Sequence, residues 1–278
     1  MHNKIIDGNF QSDVLRQQIA SEVSKMPIKP RLAVVLVGQN PASQIYVKIK
    51  MKRAQEVGIE TELHAFEEDI SNEQILSSID NLNQDTRVHG ILVQMPLPTH
   101  IDKAAVLNEI SPDKDVDGFS PINVGLLYSQ KPMFIPCTPL GVMHLIKSIR
   151  TNLSGLNVAI VGRSNIVGRP VAELLLQSDC TVTILHSKTR NMERICRECD
   201  LIIAATGCPK MITRDHIKPG AIVIDVGITK VDSQIVGDVD FNNVIDLVSH
   251  ITPVPGGVGP MTVAYLLSNT LKAAKLLT

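Results

Sequence analysis

Short strand-like runs that alternate with helix-like segments are the feature that most constrains how this chain can fold. The strand-like runs cover residues 32–37, 62–66, 90–94, 157–161, 181–185, 201–205 and 221–226. The helix-like segments cover residues 41–57, 72–83, 122–129, 140–149, 166–177, 192–198 and 261–277. Strands that alternate with helices along a chain form parallel sheets covered by helices. The sequence therefore predicts an α/β fold.

Capping residues and turn residues divide this pattern further. Asn40-Pro41 and the capping box from Ser71 to Gln74 mark two helix starts. Thr138-Pro139 is expected to cap the next helix, and Pro260 to stand first in the closing one. Residues 111–139 are dense in Pro, Asp and Gly, which places a domain boundary there. A chain of 278 residues accommodates about two domains.

The strongest cofactor signal is the turn at residues 162–170, which follows an apolar strand and opens a helix. Such a turn presents backbone N–H groups to a phosphate. Its spacing is G-x-S-x-x-x-G rather than G-x-G-x-x-G, so a bound phosphate is expected to depend on Arg163 and Ser164. A turn that needs Gly162 for its conformation alone is the alternative.

The residues after the next strand favour NADP over NAD. NAD-binding proteins place an acidic residue there for the ribose 2′-hydroxyl, and residues 183–188 contain no acid. Arg163, Ser164 and Ser187 would offer donors to a 2′-phosphate. The alternative is a solvated surface loop.

A second set of polar residues suggests proton chemistry. Tyr46 and Lys50 are four residues apart on a predicted helix and therefore share one face. Such a pair on a cleft wall can transfer protons, although a solvated helix face is the alternative. Gln94 ends a predicted buried strand, at the edge where α/β folds bind ligands.

Other classes of function are excluded or disfavoured. A net charge of −1, 3% aromatic residues and no Trp argue against a nucleic-acid partner. No apolar run approaches the ~20 residues that span a bilayer, and no signal-peptide pattern is present, so a cytoplasmic protein without a membrane partner is expected. Cys196 and Cys199 have CxxC spacing without a second pair and are interpreted as structural thiols. No metal site is predicted, because neither the Asp nor the His residues show a ligand spacing.

Six segments in order resemble one known family. They are residues 46–50 (YVKIK), 93–98 (VQMPLP), 112–119 (PDKDVDGF), 136–139 (PCTP), 162–168 (GRSNIVG) and 255–262 (PGGVGPMT). From about Val37 to the C-terminus the chain closely resembles the bifunctional methylenetetrahydrofolate dehydrogenase / methenyltetrahydrofolate cyclohydrolase family. Met95 stands where leucine is usual, a change that conserves volume.

The resemblance implies two domains with a cleft between them. Residues 1–119 and the C-terminal helix, residues 262–278, would form the folate-binding catalytic domain, and residues 120–261 a Rossmann-like NADP-binding domain. In the family, the lysine matching Lys50 is the key catalytic group of the cyclohydrolase step. The tyrosine matching Tyr46 orders the site, the glutamine matching Gln94 tunes the lysine, and the aspartate matching Asp117 holds the pterin ring.

The resemblance also implies further binding residues. Those expected at the substrate, besides the four catalytic residues, are Val93, Met95, Pro255, Gly256, Gly257, Val258 and Gly259. Those expected at the cofactor are Gly162, Arg163, Ser164, Ser187 and Ile228.

The function implied is NADP-dependent oxidation of 5,10-methylenetetrahydrofolate and hydrolysis of the methenyl product to 10-formyltetrahydrofolate. This chemistry belongs to one-carbon metabolism and purine biosynthesis, and the partners expected are tetrahydrofolate-derived small molecules. Family members are usually homodimers paired through their nucleotide domains. Alternatives are a monofunctional dehydrogenase, a hydroxy-acid or amino-acid dehydrogenase on a similar frame, and a non-catalytic NADP-binding protein.

Overall fold

The computed structural model describes residues 4–232 and 234–278, which form two compact units. The first unit consists of Asp13–Cys137 and Val263–Thr278. The second consists of Thr138–Thr262 and the described residues up to Ser12. Each unit contains a parallel sheet with helices, which confirms the predicted α/β class with two domains.

The first unit is built on a three-stranded parallel sheet with the order β2-β1-β3. Its elements, including a first helix that begins before the unit does, are α1 (Gly8–Val23), β1 (Arg31–Val37), α2 (Pro41–Glu56), β2 (Glu60–Phe66), α3 (Asn72–Gln84), β3 (Gly90–Val93), α4 (Lys103–Glu109) and α5 (Pro121–Tyr128). Side chains alternate across β1: Leu32 and Val34 join one core cluster, and Ala33 and Val35 join another. The sheet is therefore covered on both faces, as parallel sheets require.

The second unit is built on a five-stranded parallel sheet with the order β10-β7-β6-β4-β5. Its elements are α6 (Cys137–Ile149), β4 (Asn157–Val161), α7 (Gly168–Leu176), β5 (Thr181–Leu185), α8 (Met192–Arg197), β6 (Leu201–Ala204), β7 (Ile222–Asp225), the hairpin β8 (Thr229–Val231) and β9 (Gln234–Val236), α9 (Phe241–Val244) and β10 (His250–Ile251). The last helix, α10 (Val258–Leu277), begins in the second unit, and its residues from Val263 onward belong to the first. From β4 the chain adds β5 on one side of the sheet. It then returns past β4 and adds β6, β7 and β10 on the other side. In open α/β sheets, ligands bind at the carboxyl ends of the strands beside such a switch.

The last helix, α10, contributes to the core of the first unit. Leu266, Leu267 and Leu271 lie in the same buried cluster as Leu32 and Val34 of β1. Phe134 and Cys137 are buried in this cluster too. The first unit accordingly extends to Cys137, and the domain boundary expected at 119/120 stays a prediction.

The predicted strands and helices are present, but three helix starts differ from expectation. Ser164 Oγ accepts hydrogen bonds from the N–H groups of Val167 and Gly168, so α7 begins at Gly168, two residues late. α6 begins at Cys137, so Thr138 lies in its first turn instead of capping it. α10 begins at Val258, two residues before Pro260, and the Val258 side chain is buried.

Some elements were not expected from the sequence. They are α1, α4, the β8–β9 hairpin, α9 and β10. Within the described residues, no helix is both long and apolar enough to cross a membrane. No group of three or more His, Cys, Asp or Glu side chains in residues 4–232 and 234–278 is placed to hold a metal ion.

Candidate functional site

A lysine–glutamine pair lies at the carboxyl edge of the first sheet. Lys50, in the third turn of α2, donates a hydrogen bond from Nζ to Oε1 of Gln94, at 3.0 Å. Gln94 follows β3 directly, and its Nε2 donates to the Met95 carbonyl oxygen at 2.6 Å. Because the amide group is held at both ends, its oxygen is directed at the lysine and fixes the position of Nζ.

Sequence and packing explain how α2 presents Lys50. Asn40 caps the helix by accepting a hydrogen bond from the Ser43 N–H, and Pro41 stands at the first position. Val47 and Ala54 are buried against the first core cluster. Tyr46 is 38% exposed on this helix, and its neighbours Ile45 and Ile49 are exposed too. The helix therefore presents an apolar, accessible surface next to the lysine.

Asp117 is coupled to Lys50. Burial raises the pKa of the Asp117 carboxyl, the Lys50 charge opposes this shift, and the neighbouring Asp115 adds to it. Asp115 is itself buried, and its carboxylate accepts hydrogen bonds from the N–H groups of Phe119 and Ser120 at 3.2 and 2.8 Å. The turn that carries Asp117 is thus held by its own neighbouring carboxylate.

Two residues that the sequence did not assign to the site contact the turn that carries Asp117. The buried Cys137 thiol donates a hydrogen bond to the Val116 carbonyl oxygen at 3.3 Å, and its interaction with Asp117 lowers the pKa of that carboxyl. Burial raises the pKa of Cys137 well above its ordinary value, so the group remains a thiol. Asn269 donates from Nδ2 to the carbonyl oxygens of Val116 and Ile135, at 2.8 and 3.1 Å. A buried amide within the apolar helix α10 is the signal that could have identified Asn269.

The remaining expected residues of the first unit are Val93 and Met95. Val93 is buried at the end of β3 and packs in the second core cluster. Met95 is partly buried against the same cluster. Both lie next to Gln94 in the chain, and the Met95 carbonyl oxygen is the acceptor that holds the Gln94 amide.

The turn after β4 has the close backbone approach expected of a phosphate site. A Cβ on Gly162, which has φ +129°, would lie 2.1 Å from the Ala205 carbonyl oxygen. A Cβ on Gly168 would lie 2.2 Å from the Gly162 carbonyl oxygen. Glycine is therefore required by the packing at both positions, and the turn lies beside the chain that follows β6.

The other expected cofactor residues are accessible. Arg163 and Ser164 are exposed in this turn, and Ser187 is exposed after β5. Val161 and Leu185 are paired across β4 and β5, so Arg163 and Ser187 follow neighbouring strand ends. The residues present therefore fit a dinucleotide with a 2′-phosphate: two hydroxyls and a guanidinium, with no carboxylate in residues 183–188.

The segment from Pro255 to Gly259 lies in the second unit, at the start of α10. The Gly256 carbonyl oxygen accepts a hydrogen bond from the Asn9 N–H at 3.2 Å. A Cβ on Gly259 would lie 3.5 Å from the Ile228 side chain, which is otherwise exposed. The structure thus brings an expected substrate residue next to an expected cofactor residue within one unit.

The CxxC pair is structural, as the sequence indicated. Cys196 and Cys199 are buried free thiols. Burial raises the pKa of Cys196 to about 12 and raises that of Cys199 as well. Thiols that stay protonated are poor nucleophiles and poor metal ligands.

Two family models match successive parts of the chain. Residues 6–117 match the family model for the tetrahydrofolate dehydrogenase/cyclohydrolase catalytic domain, and residues 136–278 match that for its NAD(P)-binding domain. The bifunctional protein FolD of Bacillus anthracis is 51% identical over 275 residues, covering 98% of this chain and 96% of the relative.

Solved structures agree. The Campylobacter jejuni FolD methylenetetrahydrofolate dehydrogenase/cyclohydrolase is 48% identical, with a TM-score of 0.95 over 98% of both chains. The Trypanosoma brucei enzyme, solved with NADP cofactor and an inhibitor, is 38% identical, with a TM-score of 0.94 over 98% of this chain and 97% of that one.

Fold, site and comparisons together define an oxidoreductase class with separate catalytic and NAD(P)-binding domains. More narrowly, this chain belongs to the tetrahydrofolate dehydrogenase/cyclohydrolase family. The family combines an oxidoreductase and a hydrolase activity in one chain, as its description states.

Proposed function

We propose that this protein oxidises 5,10-methylenetetrahydrofolate with NADP and then hydrolyses the 5,10-methenyl product to 10-formyltetrahydrofolate. The observation that carries the proposal is the 3.0 Å hydrogen bond between Lys50 and Gln94, with the Asp117 carboxyl coupled to the same lysine. The first unit would carry the folate chemistry and the second the nucleotide. Membership in the family supports both assignments.

NADP, when bound, supplies an acceptor for the hydride that leaves the methylene bridge of the folate. The folate product is then a delocalised cation, so this step needs no strong base. Asp117 would hold the pterin ring by hydrogen bonds, and Tyr46 would pack against the substrate from the exposed face of α2. In this proposal, Val93 and Met95 line the substrate in the first unit.

In the hydrolytic step, water adds to the methenyl carbon, and the bond from that carbon to N5 of the folate breaks. The attacking water loses its protons, one of which reaches N5 while the other is released. Lys50 is the group placed to move a proton, because its hydrogen bond to Gln94 fixes the position of Nζ.

Replacing Lys50 with Met tests this division of labour. We expect Lys50→Met to abolish hydrolysis of methenyltetrahydrofolate while part of the NADP-dependent dehydrogenase activity remains, because hydride transfer requires no proton acceptor. Both rates would be followed separately by absorbance, alongside folate binding by calorimetry. Lys52→Met, at an exposed position on the same helix, is the matched control.

The possible results of these assays distinguish the proposed function from its alternatives. Equal loss of both activities with folate binding intact would refute the proposed role of Lys50. Dehydrogenase activity without hydrolysis in the unaltered protein would indicate a monofunctional enzyme, and NADP binding without either activity would indicate a binding protein.

We also propose that the protein forms a homodimer through its second unit. β5 stands at one end of the five-stranded order, and Thr181, Thr183 and Ile184 are exposed on it. Leu176, at the end of α7, is a further exposed apolar side chain. A free strand edge next to apolar side chains is the kind of surface that pairs with a second copy.

A cytoplasmic location stays a prediction, to be tested by cell fractionation.

A further inference from the structure

Two buried carboxyl groups in the second unit have no place in the chemistry above. Asp225 ends β7 and is 3% exposed, and Asp238 follows β9 and is 0% exposed. Among the described residues neither takes part in a recorded ion pair. A buried carboxylate without a cation needs hydrogen-bond donors to be stable.

The donors that these carboxylates have are almost all backbone N–H groups. Asp225 Oδ1 accepts hydrogen bonds from Gly227 and Asp238, each at 2.9 Å, and Oδ2 accepts one from Val239 at 2.9 Å. Asp238 Oδ2 accepts hydrogen bonds from the N–H groups of Thr206 and Gly207, at 2.6 and 3.0 Å, and from the Thr206 hydroxyl at 3.0 Å.

These contacts join three separate parts of the chain. Thr206 and Gly207 follow β6, Gly227 follows β7, and Val239 follows the β8–β9 hairpin. The fit is close: a Cβ on Gly227 would lie 2.2 Å from Asp238 Oδ1, and one on Gly237 would lie 2.0 Å from Asp225 Oδ2. The two carboxylates therefore fit only if positions 227 and 237 are glycine.

The joined segments lie at the carboxyl edge of the sheet. Ala205, directly before Thr206, is the residue whose carbonyl oxygen approaches Gly162 in the phosphate turn. Thr229 Oγ1 donates to the Gly207 carbonyl oxygen at 3.4 Å, and Ile228, an expected cofactor residue, follows Gly227. A dinucleotide crosses the switch point. With its 2′-phosphate near Ser187 after β5, its nicotinamide end would reach the β6 and β7 side.

We propose that Asp225 and Asp238 are positioning residues that hold the loops after β6 and β7 in the geometry that binds the nicotinamide half of the dinucleotide. The inference rests on the proposed function. The two carboxylates make no contact with the cofactor themselves; they fix the backbone of Thr206, Gly207 and Gly227.

The hydrogen-bond pattern predicts that the two residues respond differently to the same substitution. Both carboxylate oxygens of Asp225 accept hydrogen bonds from N–H groups. In either orientation of its amide, an asparagine at position 225 would therefore point its NH2 group at an N–H donor. In Asp238 only Oδ2 has partners, and Oδ1 is buried without one in the described structure. Asparagine at 238 can therefore keep its oxygen toward Thr206 and Gly207.

The test measures NADPH affinity by fluorescence titration and kinetics at pH 8, where Asp225 is ionised although burial raises its pKa to about 6. We expect Asp225→Asn and Asp238→Ala to weaken NADPH binding about tenfold or more, the factor expected from misplaced polar contacts. Asp238→Asn should stay within about threefold of the unaltered protein. Asp240→Asn, at a partly exposed position in the same segment, is the matched control.

A positioning role further requires that the KM for NADP rises while the cofactor-independent hydrolysis of methenyltetrahydrofolate is unchanged. The proposal fails if Asp225→Asn binds NADPH like Asp240→Asn, or if it loses both activities in parallel. Should Asp225→Asn not fold, equal NADPH affinities of Asp238→Ala and Asp238→Asn would overturn it. Absence of both activities in the unaltered protein would contradict the proposed function, whereas the ratio of NADPH affinities would still test this inference.

Discussion

At the scale of single residues, the polar groups of interest stand at strand ends. Gln94 follows β3, the Gly162 turn follows β4, and Asp225 ends β7. Each is positioned by a rigid parallel sheet, whose carboxyl edge gathers residues from distant parts of the chain. Their hydrogen bonds, such as that between Lys50 and Gln94, fix atoms that the loops alone would leave mobile.

The cofactor preference proposed above depends most on the exposed side chain of Arg163, the one charged group among the expected donors. We expect Arg163→Ala to raise the KM for NADP by about 10- to 100-fold, because a charge-assisted contact to the 2′-phosphate contributes roughly 1.5–3 kcal/mol. The KM for NAD, which has no such phosphate, should change far less. Steady-state kinetics with both cofactors measure the difference, with Arg194→Ala on the exposed side of α8 as control. An unchanged preference would place the phosphate contact elsewhere.

At the scale of one element, the two ends of α3 are capped in different ways. A neighbouring residue caps the N-terminal end, and a residue distant in the sequence caps the C-terminal end. Its apolar face, Ile75, Ile79 and Leu82, repeats at helical spacing and is buried. The capping box at Ser71 was predicted and is present, with hydrogen bonds in both directions between Ser71 and Gln74. The C-terminal end is capped instead by Lys114, some 30 residues further on.

Lys114 is almost fully buried, and its ammonium donates to three carbonyl oxygens, those of Leu82, Asn83 and Asp85, at 3.1, 2.7 and 2.8 Å. Burial lowers its pKa, and the nearby Asp113 and Asp85 charges oppose that shift. No local pattern announces this arrangement, because a lysine between two aspartates is typical of a solvated turn.

Removing this cap should destabilise the first unit. Lys114→Met leaves one buried and two partly buried carbonyl groups without their donor, at a cost of about 2–4 kcal/mol. We expect the melting temperature of the first unit to fall by roughly 5–10 °C in calorimetry. Lys103→Met, which changes an exposed lysine at the start of α4, should leave it unaltered. A matching melting temperature for the two variants would show that Lys114 contributes nothing to the stability of α3.

At the scale of the whole molecule, each unit ends its sheet with a strand that has an accessible apolar residue. Ile184 on β5 is 38% exposed in the second unit, and Leu63 on β2 is 46% exposed in the first. The homodimer proposed above uses the first of these edges and not the second. The two positions are chemically similar, so they provide a paired test of which surface associates.

Ile184→Asp should give a monomer, because a carboxylate buried in the dimer interface would lose its hydration without gaining a partner. Light scattering after gel filtration should then report the chain mass of 30.3 kDa, against twice that value for the unaltered protein. Leu63→Asp should remain dimeric at the same concentration. The reverse result would assign the interface to β2 of the first unit.

The sequence by itself determined the α/β class, the two series of strands, the capping box of α3 and the glycine turn at 162, because periodicity, caps and turns depend on neighbouring residues. Tertiary structure decided which polar residues meet. Lys50 and Gln94 are 44 residues apart in the sequence, and Asn269 reaches Val116 across 153 residues. A lone polar residue is either solvated or hydrogen-bonded to the backbone of a distant segment. Which of the two occurs depends on the tertiary packing of that segment, and neighbouring residues in the sequence do not determine it.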